Sequence, residues 1–273
     1  MDHPEHAATD GAFTYDPDVS PKGGPAGFLL DALRRRRAGR AVVSGLTVLL
    51  FLGGSGMFAY PFFTDLYTDK FLQGRLADEF VGIEVEDFDD WEASVSTGDA
   101  LTQIAIPDLE VETVVVSGTS PAALRAGAGH YPSTVLPGQV GNVGIAGHRT
   151  TYGRPFNRID EMAEGDAVWL QTPVGDFEYV VVAPPTDGDC RAYADMDADR
   201  GDSAACVTHP RDWSVVDETD DAVLTLTSCH PKGSAAQRIV VQAELAEAHD
   251  PGTYEQRHGD ETGDETGEEA GEA

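Results

Sequence analysis

A chain of 273 residues has room for one or two domains. Its 48 Asp plus Glu stand against 18 Lys plus Arg, a net charge of -30, which excludes the basic surface that nucleic acid requires. The excess is partly local, since ten acids and one Arg lie from Glu247 onward.

In chain order, residues 1–40 are polar, acidic and broken by Pro and Gly until a basic cluster, Arg34 to Arg37 with Arg40 close behind. This composition predicts a disordered cytoplasmic tail. Ala41 to Phe63 then runs without a charge. At about 1.5 Å per residue, that length crosses a bilayer core. The Arg cluster on its N-terminal side places that end in the cytoplasm and the rest of the chain outside. A cleaved signal peptide competes with a retained anchor. The run is long for a signal sequence, and no small-x-small cleavage site is evident. Residues 64–100 start with a helical pattern, LYTDKFLQGRLADEF, turn acidic, and read as a stalk.

From residue 101 to 245 the pattern changes to short β-rich runs: LTQIAIP, VETVVVSG, GNVGIAGH, DAVWLQTP, FEYVVVAP, AVLTLTSC and QRIVVQAEL. Several alternate with period two, and Gly and Pro separate them. Seven or eight such strands predict a mainly β domain, a closed barrel or a sandwich. Pro121 to Ala126 and Phe156 to Ala163 are the helix candidates. Residues 246–273 hold the repeat GDETGDETGEE and read as a disordered acidic tail.

The chemistry gathers at strand ends. The two apolar runs around Cys229 and Arg238 are split by Pro231 and Gly233, which suggests a tight return. A hairpin there brings a thiol and a guanidinium to the same end of a sheet, as a thiol-dependent acyl transferase requires. His148 closes another apolar strand, GNVGIAGH. The plain reading of a lone strand Cys is a buried small hydrophobe; the three polar strand ends together argue otherwise.

GNVGIAGHR, PFNRIDEMAEGDAV and TLTSCHPKGSAAQRIVV, in that order, resemble the sortases. The resemblance covers about half the chain. CHP after the Cys, with HYPST and PGQVGN before the His, is most similar to class E, the housekeeping type. It implies an eight-stranded β-barrel, a membrane anchor and a cysteine transpeptidase working outside the cell without a required cofactor. It further implies that Cys229 attacks the Thr–Gly bond of an LPxTG- or LAxTG-type sorting signal on a secreted protein. His148 would protonate the departing amine and deprotonate the incoming one, and Arg238 would stabilise the oxyanion or hold the substrate backbone. The acceptor would be an amine such as a cell-wall peptide or a pilin lysine. Tyr131 aligns with a class E residue that reads the signal's second position; a packed Tyr beside Pro132 is the competing reading.

Cys190 and Cys206 bracket a loop that in the sortase layout precedes the nucleophile strand. A disulfide stapling this loop leaves Cys229 as the one reactive thiol and fits an oxidising compartment. Asp195, Asp197, Asp199 and Asp202 in the same loop invite a calcium site, but the spacing departs from the EF-hand form, and a solvated acidic loop is the simpler expectation. His230 follows Cys229 directly, so in a strand it faces the other way. His209 precedes Pro210 and reads as a loop residue.

With ordinary pKa values of about 8.5 and 6.5, thiolate and imidazolium coexist in about one molecule in a hundred near pH 7.5. A bell-shaped pH profile is therefore expected. Two other readings remain: an L,D-transpeptidase-like wall cross-linker, which would need Gly before the Cys and a nearer Arg, and a non-catalytic anchored adhesion or scaffold domain. The acidity fits either a salt-adapted surface or an Arg-rich, acidic compositional bias.

Overall fold

A computed structural model describes residues 37–184, 189–197, 199 and 201–259. The residues group into two units, Met1–Phe58 and Ala59–Ala273. Residues 1–36 and 260–273, including most of the predicted cytoplasmic tail and the GDETGDETGEE repeat, lie outside the described residues.

Helix α1 spans Arg37–Tyr67. Within it, Gly39–Tyr60 is 22 residues long with mean hydropathy 1.8 and none of it buried, long and apolar enough to cross a bilayer. Within it Thr47 Oγ1 donates to the Val43 carbonyl at 2.9 Å, so that hydroxyl needs no water.

The predicted stalk is folded. A π-helical turn, Thr68–Leu72, leads into α2, Gln73–Val81. Leu76 of α2 packs with Ala100, Val114, Val116 and Ala123. Helix α3, Phe88–Ser94, starts at Asp87, whose carboxylate accepts the Asp90 amide at 3.0 Å. Such a cap satisfies one of the orphan donors of a helix start. Its Trp91 is fully buried against Phe88, Leu101 and Leu136.

The strands are β1 Ala100–Ile106, β2 Val111–Ser117, β3 Ala128–His130, β4 Gly141–Ala146 and β5 Ala167–Thr172. They continue as β6 Gly175–Val181, β7 Arg191–Ala192, β8 Cys206–Thr208, β9 Ala222–His230 and β10 Gln237–His249. Eight of them run in the order β6-β5-β1-β2-β3-β4-β9-β10, and pairing of β6 with β10 closes the barrel. Strands β8 and β7 continue outward from β10. The period-two pattern decides what faces inward: Val143, Ile145, Leu224, Leu226, Ile239 and Val241 join one core.

Two further sequence expectations differ from the structure. Phe156 to Ala163 is not an α-helix; only Ile159–Glu161 forms a 3-10 turn. Phe156, Ile159 and Met162 recur every third residue and are all fully buried, a spacing suited to 3-10 geometry rather than to a helix of 3.6 residues per turn. The other candidate is helical, as α4, Pro121–Ala126. The supposed tail from residue 246 is folded at its start. Strand β10 runs to His249, and α5, Thr253–His258, follows.

Candidate active site

Strand register puts Cys229 beside its expected neighbours. Cys229 on β9 lies directly opposite Arg238 on β10. Directly opposed residues share a face, with Cβ atoms about 5 Å apart. On the other flank β4 runs parallel to β9, ending with Ala146 against Thr227. The ladder continues past that pair: the Gly147 amide donates to the Thr227 carbonyl at 3.0 Å, and Ser228 Oγ donates to the Gly147 carbonyl at 2.8 Å. His148, two residues past Ala146, therefore stands level with Cys229, two residues past Thr227. Leu224 and Leu226 point into the core, so Cys229 faces outward, as alternation requires. The three side chains predicted to work together share the outer rim of β4, β9 and β10, each partly exposed.

Each flank is held differently. Arg238 Nη1 donates to the carbonyls of Gln237 and Ala235, at 3.1 and 3.4 Å, in its own turn. The His148 ring lies against Tyr152, centroids 4.9 Å apart and planes tilted by 42°. Tyr152, Gly153 and Arg154 all have positive φ, 55°, 75° and 49°. Asp65 braces this costly turn, accepting the Gly153 amide at 3.1 Å and pairing with Arg154 at 2.9 Å. Burial lowers the pKa of His148, and repulsion from Arg125 lowers it further. The imidazolium is thus scarcer than an exposed His would supply.

Behind the rim lies a buried charge pair without a part in the sequence argument. Arg149 is almost wholly buried and pairs with Asp160 at 2.8 Å. Its Nη1 donates to the Cys229 carbonyl at 3.3 Å, and its Nε donates to the Asn157 carbonyl at 2.7 Å. Asn157 returns a bond to the Arg149 carbonyl at 2.6 Å. The backbone carrying Cys229 is thus tied to the backbone carrying His148. The sequence clue is slight: an Arg next to His148 in a strand must face the other side.

His230 has its ring against Tyr193 at 5.4 Å and precedes a cis bond to Pro231. Burial, then Arg149, lowers its pKa. His209 Nδ1 accepts the Arg211 amide in an exposed loop. Tyr131 does reach the site's face. Its hydroxyl lies 2.8 Å from Thr227 Oγ1, two residues before Cys229. Its ring crosses Gly144, where a Cβ would come within 2.7 Å of it. Trp213, 63% exposed, sits edge-on to Tyr131 at 6.2 Å. The sequence reading did not single out Trp213, which sits in a polar loop.

Cys190 and Cys206 are disulfide-bonded, and Cys229 is free. The bond ties the chain ahead of β7 to β8, which pairs with β10 from Arg238 to Val240. Asp197 accepts the Asp199 amide at 3.1 Å and lies 3.5 Å from the Tyr193 hydroxyl. Among the described residues, the metal-ligand atoms that converge are those of Glu178, Glu247 and His249, at the far end of β10 and not in the Asp195–Asp199 loop. Arg257 already lies 3.6 Å from Glu178 there.

Residues 104–246 match the family described as Sortase domain, slightly over half the chain and all of the rim. The chain belongs to the sortase family. It is 27% identical over 180 residues to Sortase SrtE1 of Streptomyces coelicolor, covering 58% of this chain and 46% of that protein. It is 35% identical over 86 residues to Sortase D of Bacillus subtilis, covering 32% of this chain and 42% of that one. This sortase thus spans about half the length of these curated relatives. Among solved structures, SrtF sortase from Corynebacterium diphtheriae is 29% identical with a TM-score of 0.50, covering 62% of this chain and 94% of that one. A Clostridium perfringens Sortase D5 transpeptidase shares the fold, with a TM-score of 0.52 at 24% identity over 64% of this chain and 99% of its own.

Proposed function

We propose that this sortase is a membrane-anchored cysteine transpeptidase that exchanges one peptide bond for another at the cell surface. The observation that carries the reading is the flanking of the one free thiol, Cys229, by His148 level with it and Arg238 opposite it. In this reading the Cys229 thiolate attacks the Thr carbonyl of a sorting signal's Thr–Gly bond. His148 gives its proton to the departing Gly amine. The resulting thioester is opened by an acceptor amine, whose proton His148 takes back, so no ATP is needed. A guanidinium has five donors; with Nη1 resting on its own turn, Arg238 retains others for the oxyanion or the substrate backbone.

The finer readings are these. The substrates are secreted proteins with an LPxTG- or LAxTG-type signal, and the enzyme is of the class E type. The acceptor is a cell-wall peptide amine or a pilin lysine. Tyr131, held by Thr227 and beside exposed Trp213, lines the path of the signal peptide on Cys229's face. The anchor is Gly39–Tyr60, with the Arg34–Arg37 side cytoplasmic. No cofactor takes part in these steps; calcium at Asp195, Asp197 and Asp199 stays a weaker proposal.

The test is product analysis with the full chain in nanodiscs, given LPxTG and LAxTG peptides plus an amine acceptor. The reading expects a new amide joining the Thr to the acceptor, and release of the Gly-led fragment. Peptides returned intact across the panel, with the chain folded, would overturn it.

A further inference from the structure

The segment between the apolar span and the barrel has two faces. On one, Thr64 and Thr68 are buried, and Thr68 Oγ1 donates to the Arg125 carbonyl at 3.0 Å. Asp65 grips Gly153 and Arg154, and Gln73 Oε1 accepts the Val114 amide at 2.7 Å. These bonds fix the segment's rotation on the barrel. On the other face, Phe63 stacks on Tyr67 at 6.4 Å, and Tyr67 meets Phe71 at 5.7 Å with the rings tilted. The ridge is exposed, Phe63 by 66% and Phe71 by 63%, and Leu66 beside it by 57%. Because the opposite face is bonded to the barrel, the ridge cannot turn inward to hide.

We propose that this aromatic ridge lies in the headgroup layer of the membrane and seats the barrel on the bilayer surface. The proposal rests on the anchor reading, since chain continuity names the occupant. The apolar span ends at Tyr60, three residues before Phe63. Tyr is favoured at the membrane–water boundary, and Phe and Leu fill the lipid-facing side of helices that lie in it. Lys70, one of only three lysines in the chain, falls on this segment with Arg75 close after it, among the acids Asp65, Asp69, Asp78 and Glu79. Tyr67, Phe71 and Leu72 line one groove of about 530 Å³ together with Lys70, Arg75 and Asp78, so two cations and one carboxylate stand beside the ridge. The rest of a surface this acidic is repelled by anionic lipids. Phe71 is the discriminating residue. It lies about 16 Å of helix beyond Tyr60, so a segment standing upright would lift it clear of the headgroups.

The test uses the full chain, one copy per nanodisc of phosphatidylcholine and phosphatidylglycerol. A tryptophan reporter is placed by Phe71→Trp, and by Leu50→Trp as the control in the span. Headgroup-nitroxide lipid is expected to quench the emission that Phe71→Trp adds, and acyl-brominated lipid to quench the emission added by Leu50→Trp. If the span reporter is quenched and the Phe71 reporter is not, the seating is wrong and the anchor stands; a second copy or another protein then covers the ridge. If neither is quenched, the anchor reading fails and the seating with it.

Discussion

The two ends of strand β10 do different work with the same backbone. At its N-terminal end, Arg238 pairs with Cys229 on one side and Thr208 on the other, and its guanidinium donates to carbonyls of its own turn. At its C-terminal end the strand closes the barrel against β6, and α5 covers it. There Trp169 stacks on His249 at 5.3 Å and meets Arg257, Tyr254 and His258. The Tyr254 amide donates to the buried Asp176 carboxylate at 2.8 Å. The closing end spends its polar groups on one another, whereas the rim leaves a thiol, an imidazole and a guanidinium partly exposed. In the proposed reaction, reactivity comes from what is left uncovered, while the buried Arg149–Asp160 pair ties the Cys229 backbone in place.

Substitutions at the two ends should therefore separate. Cys229→Ala is expected to reduce turnover by at least about a thousandfold while leaving the unfolding midpoint nearly unchanged; retained activity would move the chemistry away from the rim. Arg149→Met is next. Removing one partner of a buried pair costs about 3–5 kcal/mol, read by urea unfolding, and turnover should fall because the Cys229 carbonyl loses its tie. Adding Asp160→Leu should restore much of the stability, since the carboxylate left with only half-exposed Lys232 at 3.7 Å is gone. At the seam, Asp176→Asn weakens one charged hydrogen bond and should cost about 1–2 kcal/mol with kcat unchanged. A large kcat loss there would erase the contrast between the ends.

The smallest effect concerns pH. If the reactive form pairs thiolate with imidazolium, activity rises with pH up to the His148 pKa, levels off, and declines at high pH. Burial and Arg125 lower the His148 value, so the acid limb should break below the usual 6.5 or so of an exposed His. Arg125→Gln should move that break to higher pH and raise the plateau a few-fold. The sign for folding is separate. A His with a depressed pKa adds stability above its unfolded value, and that stability is lost as pH falls through the folded one. His130 is also lowered, by burial, so the melting temperature should drop on acidifying from about pH 6.5.

Much of this was legible in the sequence because alternation and turn residues act locally. Pro231 and Gly233 mark the return that opposes Arg238 to Cys229, and GNVGIAGH ends its strand at the His. What was hidden depends on distant partners. Arg149 becomes meaningful only once Asp160 is folded beneath it. The brace of Asp65 on Gly153 and Arg154 joins residues far apart in sequence. Strand β10 past Leu245 escaped notice because its register shifts between Leu245 and Glu247, which breaks the period-two signal. Its acidic composition then mimics a solvated tail.

The most direct measurement is mass spectrometry of the full chain in nanodiscs, quenched shortly after an LAxTG or LPxTG peptide is added without amine. The account predicts a hydroxylamine-labile adduct on Cys229 carrying the peptide up to and including its Thr. Cleavage of the peptide with Cys229 unmodified, or an adduct on any other residue, would contradict it.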